Sequence, residues 1–288
     1  MRELVKGYAL ALRDLAREAG TASELERDAR GVAELCERFV QLAVALDDRA
    51  ADVDRRQGVL HDLVGERVSS LALRLFDAVV AWEVVGEVVH SLEELPELVA
   101  SDMVLEGPGD FATIGRVIGY ARAIFEDLGA RDELEPVLHE LRGVAQVLER
   151  DRALQRVLSG FEGTREARLA IIGDLFGPRV SVRTTWILRA AVATSSVRPI
   201  GRVVDRLLEL AARQLSLRVA TVRTARSLRD DEADAVRTHL ERLVGQRVEV
   251  EWVVDESVIG GIVAIVGDRL WDQSVRRQLD DARRLVSA

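Results

Sequence analysis

Over most of the chain, apolar side chains return every three or four residues, and each change of phase marks where one helix gives way to the next. In YARAIFEDLGA, the residues Tyr120, Ile124 and Leu128 form one stripe. In ELEPVLHELRGVAQVLER, a common face carries Leu134, Val137, Leu138, Leu141, Val144, Ala145 and Leu148. REARLAIIGDLFG runs into Gly177-Pro178, a pair that stops a helix, and SVRTTWILRAAVATSS follows. After Arg198-Pro199, IGRVVDRLLELAARQLS turns Val203, Leu207, Leu210 and Ala211 inward. Five or six short helices in about 100 residues is the pattern of a compact bundle.

The same pattern occurs twice. GYALA at Gly7–Ala11 returns as GYARA at Gly119–Ala123, and at that spacing further blocks coincide without gaps. Arg30–Val32 falls on Arg142–Val144, Glu37-Arg38 on Glu149-Arg150, Asp62 on Asp174, and VGERVS at Val64–Ser69 on FGPRVS at Phe176–Ser181. Ala78, Val80 and Ala81 fall on Ala190, Val192 and Ala193, and Leu95 on Leu207. Two copies of one helical bundle are expected, over residues 1–105 and 113–216, with EGPGD at Glu106–Asp110 inside a linker over 106–112.

Beyond Leu217 the period shortens. RVATVRT and QRVEVEWVV alternate apolar and polar residues and are rich in β-branched side chains, which predicts strands. Between them SLRDDEADAVRTHLERLVGQ predicts a helix with Ser227 as its N-cap, acidic residues at its positive end and Gly245 as its stop. GGIVAIVGDRLW predicts one or two more strands about a Gly267-Asp268 turn, and SVRRQLDDARRLV a closing helix from Ser274. The fold class expected is mainly α with a small α/β part. Two tandem helical bundles precede a small C-terminal β-α-β-β-α domain over residues 217–288.

Composition narrows the chemistry. Apolar residues are 48% and charged residues 31% of the 288, which suits cores built from Leu, Val, Ala and Ile, since aromatics are only 4%. The formal net charge of −9 argues against a nucleic-acid partner, which would need cations along its phosphates. The single cysteine, Cys36 in VAELCERF, allows no internal disulfide and is expected to be a buried small hydrophobe. The N-terminus has no signal-peptide pattern. No window approaches the roughly 20 apolar residues that a bilayer span needs, because Arg74, Asp77, Glu83 and Glu87 interrupt the nearest. No direct membrane insertion is expected.

Catalytic and cofactor motifs are missing. His61, His90, His139 and His239 have unrelated spacings, with no HxxxH or HExxH to hold a metal. The paired aspartates at 47–48, 230–231 and 280–281 suit wet helix faces, and no GxSxG is present. Gly260 and Gly261 lead into the apolar run IVAIV, a strand and not a helix N-terminus, and neither GxGxxG nor GxxxxGK occurs. The glycines are therefore expected to shape backbone. No cofactor, metal or catalytic residue is expected, and interaction is left as the function.

GGIVAIVGDRLWDQSVRRQL resembles the C-terminal signature of the delta subunit of bacterial F-type ATP synthase, the counterpart of the mitochondrial oligomycin sensitivity-conferring protein. Gly260, Gly261, Gly267, Asp268, Asp272, Ser274, Val275 and Leu279 carry the resemblance, and YARAIFEDLGA is similar to the family's opening helix. RVATVRTARSL also stands where that family places a Val-x-Ser-Ala-like segment. The resemblance covers the chain from about Thr113 onward. It implies a six-helix bundle followed by a small α/β domain, and a non-catalytic stator role at the cytoplasmic face of the cell membrane, as part of the complex. The implied partners are the N-terminal helix of an alpha subunit and the b-type peripheral-stalk subunits. Carried onto this chain, the alpha-subunit contacts fall on the Tyr120–Leu128 and Val182–Ala193 helices, with Tyr120, Ile124, Leu128, Trp186 and Ile187 as candidate partner-binding residues. From periodicity alone, the stripe of the Tyr120 helix fits bundle core better than a partner groove.

The copy at 1–105 departs from that family's ordinary length and is similar to enlarged actinobacterial forms. It is expected to add a second grip, on another alpha N-terminus or on a b-type helix. Two other readings stay open at the level of sequence: an unrelated helical adaptor for amphipathic peptides, and a nucleotide-dependent enzyme using the GG and GD turns.

Overall fold

The computed structural model describes every residue except 102–113, 161, 194–198, 217–218, 246–247, 256–257, 259, 267–268 and 278–288. The expected linker at 106–112, the Gly267-Asp268 turn and Leu279 lie outside the described residues. The chain divides into two compact units, Met1–Ile124 with His139–Leu208, and Phe125–Leu138 with Glu209–Ala288.

The first repeat contains α1 (Glu3–Glu18), α2 (Ala22–Arg38), α3 (Val40–Leu46), α4 (Val53–Val64), α5 (Ser70–Trp82) and α6 (Val88–Ala100). The second contains α7 (Ile114–Ala130), α8 (Leu134–Arg150), α9 (Arg152–Leu158), α10 (Arg165–Ile171) continued by a π-helical turn (Ile172–Phe176), α11 (Val182–Ala193) and α12 (Ile200–Ser216). Shifted by the 112 residues that separate Gly7 from Gly119, the second set falls on the first almost residue for residue. The stripes read from sequence are buried. Leu134, Val137, Leu138, Leu141, Val144 and Leu148 are all at most 4% exposed, as are Val203, Leu207 and Ala211, whereas Ala145 and Leu210 are half-buried.

The duplication extends to polar chemistry that has no hydrophobic period. Ser69 starts α5 by accepting a hydrogen bond from the Ala72 N–H, and its own N–H donates to Asp28 Oδ2 at 2.8 Å. One repeat later, Ser181 accepts from the Thr184 N–H and donates from its N–H to Glu140 Oε1 at 3.0 Å. Asp47 accepts from the Val88 N–H at the start of α6, and Ser159 accepts from the Ile200 N–H at the start of α12. Each bond satisfies one of the orphan donors at a helix start, so each fixes where the next helix begins. Arg56 and Arg168 occupy equivalent buried positions, at 4% and 8% exposure.

The C-terminal strands are β1 (Val219–Thr224), β2 (Glu249–Val254), β3 (Ile262–Val266) and β4 (Arg269–Asp272), in sheet order β2-β1-β3-β4. β1 pairs with β2 in parallel, which requires a crossover, and α13 (Asp230–Val244) supplies it. β3 runs antiparallel to β1 and to β4. Alternation sends Ala220, Val222, Ala264 and Val266 to one face, where they form a core with Leu240 of α13 and with Val248. The helix begins later than its sequence suggested, with Arg229 and not Ser227 at the N-cap. Glu232 decides this by reaching back to the Arg229 N–H at 3.0 Å while it also binds Arg226. Gly245, at φ 76°, ends the helix in the left-handed region that glycine enters most easily.

Candidate partner interfaces

The two repeats meet through equivalent surfaces. Gly7 in α1 and Gly119 in α7 lie in the middle of their helices, where glycine is otherwise unfavourable. A Cβ at Gly7 would land on the backbone oxygen of Arg116, and one at Gly119 on the backbone oxygen of Leu4. Leu4 and Arg116 are themselves 112 residues apart, so the crossing has the same form seen from either repeat: a local two-fold, such as an isologous dimer has. With no side chain between them, the two backbones come into direct contact.

Polar bonds flank the crossing. The Arg116 guanidinium donates to Glu3 Oε2 at 2.6 Å. Burial alone would raise the Glu3 carboxyl, but the hydrogen bond and charge of Arg116 outweigh it and hold the pKa below its ordinary value. The Tyr120 hydroxyl donates to Asp14 Oδ2 at 2.9 Å, and Arg183 of α11 pairs with Glu18 of α1. From α5, Arg74 donates to the Ala123 carbonyl at 3.2 Å, and the Trp82 ring carries the Arg122 guanidinium 4.5 Å from its centroid. Tyr8 meets that same ring edge-on, with centroids 5.0 Å apart. Helices α1 and α5 of one repeat thus touch α7 of the other, and α1 also reaches α11.

This placement bears on the residues proposed from sequence. Tyr120, Ile124, Leu128 and Ile187 are buried within the chain, none more than 2% exposed, and Trp186 is half-buried with the Arg183 guanidinium 4.8 Å above its ring. Burial, and then the neighbouring Asp14 carboxylate, push the Tyr120 phenol well above its ordinary pKa, so it stays a neutral donor. Periodicity located the stripe but gave no sign of what covers it.

In the C-terminal domain the signature residues build backbone. Gly261 has φ 80°, and a Cβ there would strike the Gln273 carbonyl. The close approach lets the Gln273 N–H donate to Ile262 O and the Val275 N–H to Gly260 O, each at 2.9 Å. Asp272 Oδ1 accepts from the Ser274 N–H at 2.9 Å, and these bonds to Ser274 hold the Asp272 carboxyl below its ordinary pKa. Ser274 is 5% exposed, and its Oγ accepts from the Arg277 N–H, starting the short helical run at 275–277. The Gly-Gly, Asp-x-Ser signature is therefore a strand entry latched to a helix cap. Beside it, α13 and the sheet leave a mainly apolar groove of about 340 Å³, lined by residues that include Val236, His239, Leu243, Ile262 and Trp271.

Cys36 is 3% exposed, and burial pushes its thiol pKa up to about 11, which keeps it unreactive. Burial also raises Asp77, partly offset by His61 at 2.9 Å. Among the described residues no group of three His, Cys, Asp or Glu side chains could hold a metal ion, and no helix is long and apolar enough to cross a membrane.

Two helical repeats followed by a four-stranded α/β domain define a helix-rich chain with a structural C-terminal signature. The family described as "ATP synthase delta (OSCP) subunit" matches residues 4–104 and 118–286, and the chain belongs to that family. It is 27% identical over 280 residues to the ATP synthase subunit delta of Cutibacterium acnes, covering 96% of this chain and 97% of that one. Against the ATP synthase subunit delta of a Parafrankia species, identity is 28% over 272 residues, covering 92% and 89%. The ATP synthase subunit delta of Syntrophus aciditrophicus is 30% identical over 168 residues, 58% of this chain but 93% of that one, which makes it a shorter relative.

Proposed function

We propose that this chain is the static link of an F-type ATP synthase, joining the N-terminal helix of an alpha subunit to the b-type peripheral stalk at the cytoplasmic face of the membrane. The repeats at 1–105 and 113–216 serve the head, and the domain at 217–288 serves the stalk. Such a link resists torque and needs broad docking surfaces, with no reacting group of its own. The observation that carries this reading is full-length similarity to delta subunits of the same enlarged size. The groove between α13 and the sheet supports it, since Val236 and Leu243 lie on one stripe of α13, about two turns apart, beside Trp271 and offer an apolar trough for an amphipathic stalk helix.

The deciding experiment uses membranes stripped of this subunit. Adding the chain back is expected to restore ATP-driven proton pumping while leaving the ATPase rate of the detached head unchanged. Failure to restore pumping, or ATP binding by the chain alone, would count against the static link.

A further inference from the structure

We infer that α1 is a built-in partner helix for the α7–α11 face, that the closure is permanent, and that a helix donated by another subunit must dock elsewhere on the chain. A face that awaits a helix exposes apolar anchors inside a polar rim. Here the anchor position, Tyr120, is fully buried and its hydroxyl is bonded to Asp14 of α1. The rim positions are also occupied, Arg116 by Glu3 and Arg183 by Glu18. The reciprocal contacts from α5, through Arg74 and Trp82, grip α7 on its other flank. Because Gly7 and Gly119 bring backbone against backbone, a second helix has no room to enter without driving the first out. The local two-fold accounts for the fit, since each repeat offers its first helix to the other and both faces are consumed together.

The closure itself does not depend on the stator reading; its consequence for the alpha-subunit helix rests on it. Two measurements separate them. In hydrogen exchange on the full chain, free and then assembled into the enzyme, amides at 7–12 and 119–124 are expected to be protected in both states. Rapid exchange in the free chain, or loss of protection on assembly, would overturn the closure. In the second, Glu18→Cys and Arg183→Cys are introduced with Cys36→Ala and joined by a cleavable bis-maleimide. The linked chain is expected to restore proton pumping to stripped membranes as fully as the unlinked one. If only the unlinked chain does so, and cleavage rescues the linked one, the face must open in service and the inference fails. If even the unsubstituted chain restores nothing, the proposed function falls while hydrogen exchange still decides the closure.

Discussion

Two glycines of the second repeat occupy helix interiors for different reasons. Around Gly143 there is open space for a Cβ, whereas at Gly119 a Cβ would meet the backbone of α1. Gly143→Ala removes only conformational freedom of the unfolded chain and is expected to raise stability by about 0.5–1 kcal/mol. Gly119→Ala must push two helix backbones apart and is expected to lower stability by about 1–3 kcal/mol, as overpacking does. Urea unfolding of the two variants side by side checks this; a neutral Gly119→Ala would mean the crossing is looser than the geometry requires. The repeat of Gly-Tyr at positions 7–8 and 119–120 was visible in the sequence as identity. Its cause was not, because the atom that excludes a side chain at Gly119 belongs to Leu4, far outside any local period. Gly261 differs again, since its apolar run IVAIV already marked it as a strand entry, and its positive φ and the Gln273 carbonyl supply the physical reason.

At the level of elements, apolar periodicity sufficed for helices whose stripes are continuous; alternation sufficed for β1 and β2, and the apolar run about the Gly267-Asp268 turn left open whether one strand or two would follow. Helix starts were harder, because they depend on single polar bonds. For α13, Ser227 and Arg229 both precede an acidic turn, and the choice between them falls to Glu232, which binds both the Arg229 N–H and the Arg226 side chain. The hydrogen bond from Arg226, aided by that from the Arg229 backbone, lowers the Glu232 pKa from 4.5 to about 2. A carboxylate with a depressed folded pKa contributes stability that is complete above its ordinary pKa and is lost as pH falls toward the folded value. The stability gap between the wild type and Glu232→Gln should therefore be constant from pH 7 to about 5, then close between 4.5 and about 2. Urea midpoints across that range test it, and a gap that persists at pH 2 would contradict the assignment. The same domain offers a functional test. Leu243 is 43% exposed on the groove-lining side of α13, so Leu243→Asp should leave the fold intact and reduce retention of the chain on stripped membranes. Unchanged retention would move the stalk helix to another surface.

For the whole molecule, the inventory of elements was legible because each stripe is local, and the meeting of the repeats was not. The stripe of Tyr120, Ile124 and Leu128 has the same spacing whether its own bundle, the other repeat or a foreign helix covers it, and only the third dimension distinguishes them. The contacts between repeats have a thermodynamic consequence. Elements that share a desolvated backbone crossing, two flanking ion pairs and a buried tyrosine hydrogen bond lose their partners together, so the two repeats should unfold as one cooperative unit. The tryptophans provide separate reporters: Trp82 sits against Arg122 of the opposite repeat, and Trp186 lies under Arg183, which pairs with Glu18. Replacing Trp252 and Trp271 with Phe, together with one of these two, leaves a single ring in the first or the second repeat. The two fluorescence transitions in urea are expected to coincide. Adding Gly119→Leu, which inserts a bulky side chain into the crossing, should separate them into distinct midpoints for the two repeats. Two midpoints without that substitution would show that the repeats are stable independently and that their contact couples them only weakly. A coincident pair that Gly119→Leu leaves unsplit would place the coupling in the flanking ion pairs and not in the glycine crossing.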